Sequence, residues 1–296
     1  MPDPVPAPDR APDRTTRPPA PEPLPHPVVD NHCHLDITWD GAEELAPEEA
    51  LARAAAVGVP RIVQIGCDLA GARWAEDLAS RLPGVVAGVA LHPNEAPRLA
   101  ESGGLEEAWE EIAALARSPH VRAVGETGLD HFRTPPPGRA AQEDSFRRHV
   151  RLASELGKTL VIHDRDAHDD VLRVVDDEGA PPRVVMHCFS GDATFARACL
   201  ERGFWLSFAG TVTFKNAGAL REACRVTPAD RLLVETDAPF LTPTPHRGRA
   251  NASYLVPLTV RRLAEERGDD LATLCAQVEA NTFAAFGGPW AAAGSG

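Results

Sequence analysis

Short apolar runs rich in β-branched residues recur along this chain, each followed by a stretch with helical spacing. That alternation limits the fold more than any other feature. The runs lie near 28–34 (VVDNHCH), 61–66 (RIVQIG), 85–92 (VVAGVALH), 121–126 (VRAVGE), 159–163 (TLVIH), 183–187 (RVVMH), 204–210 (FWLSFAG) and 232–237 (LLVETD). Near-continuous apolar character suits parallel strands covered on both faces. In the segments between, Pro47 is placed for a first helical turn and Gly58 for a stop, while Phe146, Val150 and Ala153 form one stripe that ends at Gly157. Asp192 reads as an N-cap and Gly203 as a C-terminal stop. Beyond the last run the chain reads as two helices interrupted at Gly268 and Asp269. Eight strand–helix units in about 250 residues are what a (β/α)8 barrel requires. A doubly wound open sheet is the alternative, but neither G-x-G-x-x-G nor G-x-x-x-x-G-K-[ST] occurs. The expected fold is an α/β chain, a single-domain (β/α)8 TIM barrel over residues 28–290.

Eleven of the 28 prolines fall within residues 1–27, a stretch without apolar periodicity, which reads as a disordered tail. It carries no secretory-type apolar segment, and no run of 18 apolar residues occurs in the chain. The expectation is a cytoplasmic protein without membrane contact and without an evident obligate protein partner. Six scattered cysteines, none in a C-x-x-C pair, read as reduced thiols in core space. A net charge of −13 argues against a broad phosphate-tracking surface, though not against an enzyme that grips one or two phosphates through metal ions.

The polar residues are placed unevenly. His32 and His34 share one face of the first run, because strand side chains alternate. His92, Glu126, His163, His187 and Asp237 stand at the C-terminal ends of other runs, which in a barrel converge on one mouth. Singly, each has an ordinary structural reading: a satisfied core histidine, a cap, a turn residue. Together, buried titratable groups cost several kcal/mol unless they satisfy one another or bind ions, which points to a metal site. Four imidazoles and two carboxylates (His32, His34, Glu126, His163, His187 and Asp237) exceed what one catalytic ion with an open position takes. They suit two divalent ions sharing a bridging carboxylate. Such a site accepts Mg, Mn or Zn, and ligand chemistry does not choose among them.

Several strings, "DNHCHLD", "GETGLD", "VIHDRDA", "HCFSG", "ETDAPFLTP", "PHRGRANASYL" and "NTFAAFG", resemble the signature blocks of the TatD family of metal-dependent deoxyribonucleases, in the family's order. The resemblance runs from about Val28 to Gly287, and "HCFSG" with "ETDAPFL" is its most specific combination. It implies that His32, His34, Glu126 and Asp237 hold one ion and that Glu126, His163 and His187 hold the second, with Glu126 as the bridge. The chain departs from the family's usual pattern at Asn94, Thr127 and His131, none of them a ligand in this reading. The implied chemistry is hydrolysis of a DNA phosphodiester, at single strands or strand ends, by a water activated between two ions roughly 3.5–4 Å apart. Asp237 would accept the proton and Glu126 would fix the ion spacing. His92, Arg165, Lys215 and Arg249 would contact the substrate, the three cations through flanking phosphates. Alternatives are an amidohydrolase or a D-aminoacyl-tRNA deacylase with the same centre, or a non-catalytic metal-binding scaffold.

Overall fold

The computed structural model describes residues 16–294. Its strands are β1 (Val29–Cys33), β2 (Arg61–Gly66), β3 (Val85–Val89), β4 (Val121–Asp130), β5 (Thr159–Arg165), β6 (Val184–Met186), β7 (Trp205–Phe208) and β8 (Leu232–Val234). All neighbouring pairs are parallel and follow sequence order, as the alternation of runs predicts. The helices are α1 (Pro47–Ala56), α2 (Leu69–Arg81), α3 (Glu95–Ser102), α4 (Leu105–Leu115) and α5 (Pro136–Leu156). They continue with α6 (His168–Glu178), α7 (Ala193–Glu201), α8 (Gly218–Val226), α9 (Val256–Arg267) and α10 (Leu271–Ala285). Asp192 caps α7 by accepting from the N–H groups of Thr194 and Phe195, and Gly157 ends α5 in the left-handed conformation at φ 59°. The fifth helix starts at Pro136, ahead of its apolar stripe, because proline costs nothing in a first turn whose N–H groups lack partners anyway. Among the described residues no helix is long and apolar enough to cross a membrane.

Main-chain and side-chain hydrogen bonds together close the barrel where the ladder thins. Between β8 and β1, His34 N–H donates to Ala238 at 2.7 Å and Asp237 N–H donates to His32 at 2.9 Å. Asn31 Nδ2 donates to Val234 O at 2.6 Å and to Ser207 Oγ at 2.7 Å. The buried Asp30 carboxylate accepts from Thr236 N at 2.9 Å and from Thr236 Oγ1 at 2.6 Å. Burial is the main reason its pKa rises to about 6.

Alternation along the strands fills the interior in layers. Val161, Val185 and Leu233 join Val63, Ile65, Val86, Ala123 and Trp205 in an apolar cluster that Ala285 and Phe286 plug from the end of α10. Their neighbours Leu160, Ile162, Val184, Met186, Leu232 and Val234 pack in the larger cluster that includes the surrounding helices. Two residues further along the same inward-facing rows stand His163, His187 and Glu235.

Residues 16–27 correct the expectation of a disordered segment reaching to Pro27; residues 1–15 lie outside the described residues. Leu24 N–H donates to Val57 at 3.1 Å, and Tyr254 Oη donates to Pro18 O at 2.7 Å. Arg261 donates to the carbonyls of Glu22 and Pro23 at 3.1 and 3.0 Å. Proline lacks an N–H to satisfy, so an extended proline-rich strand can lie on a surface through its carbonyls alone.

Candidate metal centre

Two glycines and a register shift aim Glu126. The pairing of β4 with β5 slips between Val124 and Thr127, which turns Glu126 inward although Ala123 already faces the interior. A Cβ at Gly128 would lie 2.0 Å from the His163 carbonyl oxygen, and one at Gly125 would lie 2.6 Å from the Val161 oxygen. Both residues have positive φ, at 141° and 157°. Only glycine lets the two backbones approach so closely on either side of this carboxylate.

Around Glu126 the imidazoles divide into two sets. Its Oε1 lies 2.6 Å from His163 Nδ1, 3.0 Å from His187 Nε2 and 3.5 Å from His92 Nε2. Its Oε2 lies 3.5 Å from His32 Nε2 and 3.4 Å from the Cys67 thiol. On the far side of His32, Asp237 Oδ1 is 3.9 Å from His32 Nε2 and 3.3 Å from His34 Nε2. His34 Nδ1 lies 2.9 Å from the Ile65 carbonyl, so Nδ1 carries the hydrogen and Nε2 is left facing the cup. The structure therefore brings together all six residues expected as ligands, with His92 Nε2 beside them at 3.5 Å from Glu126 Oε1.

Three residues that the sequence reading passed over complete the surroundings. Glu235 accepts from Cys188 N–H at 2.8 Å and holds His187 Nδ1 at 2.9 Å. Asp130 Oδ2 stands 3.4 Å from His163 Nε2 and accepts from Asn94 Nδ2 at 3.2 Å. Cys67 follows β2 at the same rim as His92. Its position at a strand's C-terminal end, and the Leu233–Glu235–Asp237 alternation, were the available signals.

Electrostatics make the cup a place for cations. Burial opposes a charge on His34 and on His187. Even so, Cys67 and Asp237 around the first, and Glu235 and Glu126 around the second, hold both well above the usual imidazole value. His163 is likewise pushed up to about 9 against its burial, by Asp130 and Glu126. Burial also opposes ionisation of Glu126, yet His187, His92 and His163 keep it well below the carboxylate range. His32 moves the other way, lowered by burial and by His187, on which it stacks at 3.7 Å between centroids. Both ring nitrogens of His32, and Nε2 of His163, are buried with no hydrogen-bond partner. Orphaned imidazole nitrogens facing carboxylates fit divalent cations, and four three-residue donor groups occur here among the described residues.

Of the four residues expected at the substrate, His92 and Arg165 line the cleft of about 570 Å³ above the cup. Lys215 is exposed and outside that lining, and the Arg249 guanidinium is committed to the carbonyls of Thr16 and Arg17. Neither is brought to the cleft. The ordered N-terminal segment supplied acceptors that the sequence reading had placed in solvent.

A cup of imidazoles and carboxylates at the C-terminal mouth of a parallel eight-stranded barrel defines a metal-dependent hydrolase. A family model described as TatD related DNase matches residues 29–287, and the chain belongs to the TatD family. It is similar to an uncharacterized metal-dependent hydrolase TatD of Mycobacterium tuberculosis, 44% identical over 274 residues that span 89% of this chain and 99% of the relative. It is 36% identical over 250 residues to the 3′-5′ ssDNA/RNA exonuclease TatD of Citrobacter rodentium, spanning 81% of this chain and 91% of that one. Among solved structures, the TatD homolog YJJV of Escherichia coli matches with a TM-score of 0.80 at 27% identity, over 88% of this chain and 98% of that one.

Proposed function

We propose that the protein is a phosphodiesterase that hydrolyses DNA at single strands or strand ends with two divalent ions, Mg, Mn or Zn. The observation that carries this reading is the division of Glu126: one carboxylate oxygen faces His163 and His187, the other faces His32. A carboxylate with donors sorted on its two oxygens is what a bridging ligand between paired ions needs. His32, His34 and Asp237 would complete one ion's donors, and His163 with His187 the other's. When bound, the ions supply Lewis acidity at the phosphorus and lower the pKa of an attacking water.

The chain's own groups do the rest. Asp237 stays ionised despite its burial because His34, His187 and His32 offset the desolvation, so it can accept a proton from water. His92 Nδ1 accepts from Asn94 N–H at 3.1 Å, which leaves Nε2 as the N–H donor toward a phosphate oxygen. Arg165, at the end of β5 and on the cleft wall, places a cation beside a neighbouring phosphate. The name of the Citrobacter rodentium relative supports a nucleic-acid substrate, and the net charge of −13 favours single strands over a long duplex.

The test is incubation of purified protein with end-labelled single-stranded DNA and RNA in Mg, Mn or Zn, with metal content measured in parallel. The expected result is metal-dependent shortening of the DNA strand that a chelator abolishes. Stoichiometric metal with no strand cleavage would overturn the reading in favour of a scaffold. Release of aminoacyl groups from tRNA with strands left intact would overturn it in favour of a deacylase.

A further inference from the structure

Two aromatic side chains stand exposed near the cup: Phe240 lines the cleft, and Phe132 lies outside that lining, packed by one face under the Arg165 guanidinium, which does line it. Phe132 is 64% exposed and Phe240 is 38% exposed, where rings of this size are ordinarily buried. Phe240 sits three residues beyond Asp237 on a held turn. Its N–H donates to the Asp237 carbonyl at 2.9 Å, and its own carbonyl accepts from Asn251 Nδ2 at 2.6 Å. The Phe240 ring meets His34 edge-on at 6.4 Å and Trp39, on the loop after β1, at 6.0 Å. Phe132 lies two residues beyond β4. The Arg165 guanidinium lies over its ring, 4.0 Å from the centroid, and His131 N–H ties that loop to the Arg165 carbonyl at 2.9 Å. In a ring of eight strands in sequence order, β4 and β5 lie across the mouth from β8 and β1.

This inference rests on the phosphodiesterase reading and concerns how the strand is held. An exposed ring on a fixed turn offers a flat, uncharged π-face, which any nucleobase can stack on whatever its identity. A duplex hides those base faces in its own stack, so only an unpaired strand can present them. With a net charge of −13 the surface has little charge to track a long backbone, so grip beyond the phosphates at His92 and Arg165 falls to the bases. We propose that Phe240 on one side, and Phe132 with Arg165 on the other, are stacking platforms for the nucleobases flanking the scissile phosphate, and that they select single strands.

The test uses the metal-loaded enzyme with a short single-stranded oligodeoxynucleotide and with the same strand made abasic throughout. Phe132→Ala and Phe240→Ala are each expected to raise KM for the normal strand about tenfold with kcat within about twofold. Phe132→Trp and Phe240→Trp should keep KM near the wild-type value. The abasic strand should be cut by the wild-type enzyme about as poorly as the normal strand is cut by the alanine variants, which should show no further loss on it. Unchanged KM in both alanine variants, or equal cutting of normal and abasic strands by wild type, overturns the platforms and leaves the phosphodiesterase reading standing. A wild-type enzyme that cuts neither strand overturns that reading, and the platforms fall with it.

Discussion

The two ends of the barrel interior are built from the same rows of inward-facing residues and have opposite chemistry. At the floor, Val161, Val185 and Leu233 close on Phe286, and the buried Thr159 on the same row spends its hydroxyl on the Ala285 carbonyl. One step up the same rows, His163, His187 and Glu235 carry hydrogen bonds and charge. The floor can be optimised for packing because nothing has to enter it. The rim leaves buried nitrogens of His32 and His163 without partners, an arrangement that costs free energy until a cation completes it. Stability and chemistry are thus separated along the barrel axis, and substitutions at the two ends should separate them experimentally.

The largest effect is expected at the floor. Phe286→Ala removes a fully buried ring that plugs the barrel and should cost about 3–5 kcal/mol in urea denaturation. In the protein that remains folded, metal content and kcat should match wild type. A fall in metal content there would show that the rim depends on the floor, against the separation. At the rim, Glu126→Gln keeps the shape and removes the charge between the two sets of imidazoles. Turnover should fall at least about 10²-fold and bound metal should drop below the wild-type stoichiometry, while circular dichroism shows a folded barrel. Asp237→Asn should act in the same direction. Near-wild-type turnover in both would remove the rim from the chemistry.

How much of this was legible before the fold follows from what each level requires. The strands could be read because parallel strands buried on both faces need continuous apolar, β-branched runs, and all eight are where such runs fall. The convergence of the expected ligands could be read because barrel strands end at one mouth, so His32, His34, Glu126, His163, His187 and Asp237 meet there whatever the loop geometry. The aim of Glu126 could not be read from alternation. It depends on the slip between Val124 and Thr127, a two-strand property that neither strand shows alone. Arg249 lies away from the cleft for a related reason. Its partners are main-chain carbonyls of Thr16 and Arg17, and no side-chain pattern announces a carbonyl acceptor. Proline content misled at residues 16–27, since proline forbids ladders more strongly than it forbids docking.

A third prediction uses protons to probe the rim. Without ions His163 is held up to about 9, so near pH 7 its ring carries a proton that an entering ion must displace, and the carboxylates around His34 and His187 shift those rings in the same direction. Metal binding should release protons, seen in calorimetry as a binding heat that changes with the ionisation enthalpy of the buffer. Affinity should weaken as pH falls, by up to about tenfold per unit for each proton displaced, and activity should drop below about pH 6. A buffer-independent heat would mean that the rings are already deprotonated, and a flat activity profile down to pH 5 would count against histidine ligation.

The smallest effect sharpens the contrast with a histidine that belongs to neither end. His149, in α5, is fully buried; its Nε2 accepts from Leu91 N–H at 3.2 Å and its Nδ1 lies 2.7 Å from the Ser145 carbonyl. Burial, offset only in part by the Ser145 bond, lowers its pKa to about 4. A neutral imidazole in the fold and a titratable one in the unfolded chain mean that the unfolded state binds the extra proton below about 6.5. The stabilisation is therefore full above that pH and is lost as pH falls toward 4. At pH 5 the loss is on the order of 1–2 kcal/mol. His149→Gln keeps an acceptor for Leu91 N–H without a titrating ring, so its unfolding free energy should change less between pH 7 and pH 5 than that of wild type, both measured in chelator. Equal slopes for the two proteins would mean that His149 takes up its proton without unfolding, and that burial outside the cup does not hold an imidazole neutral.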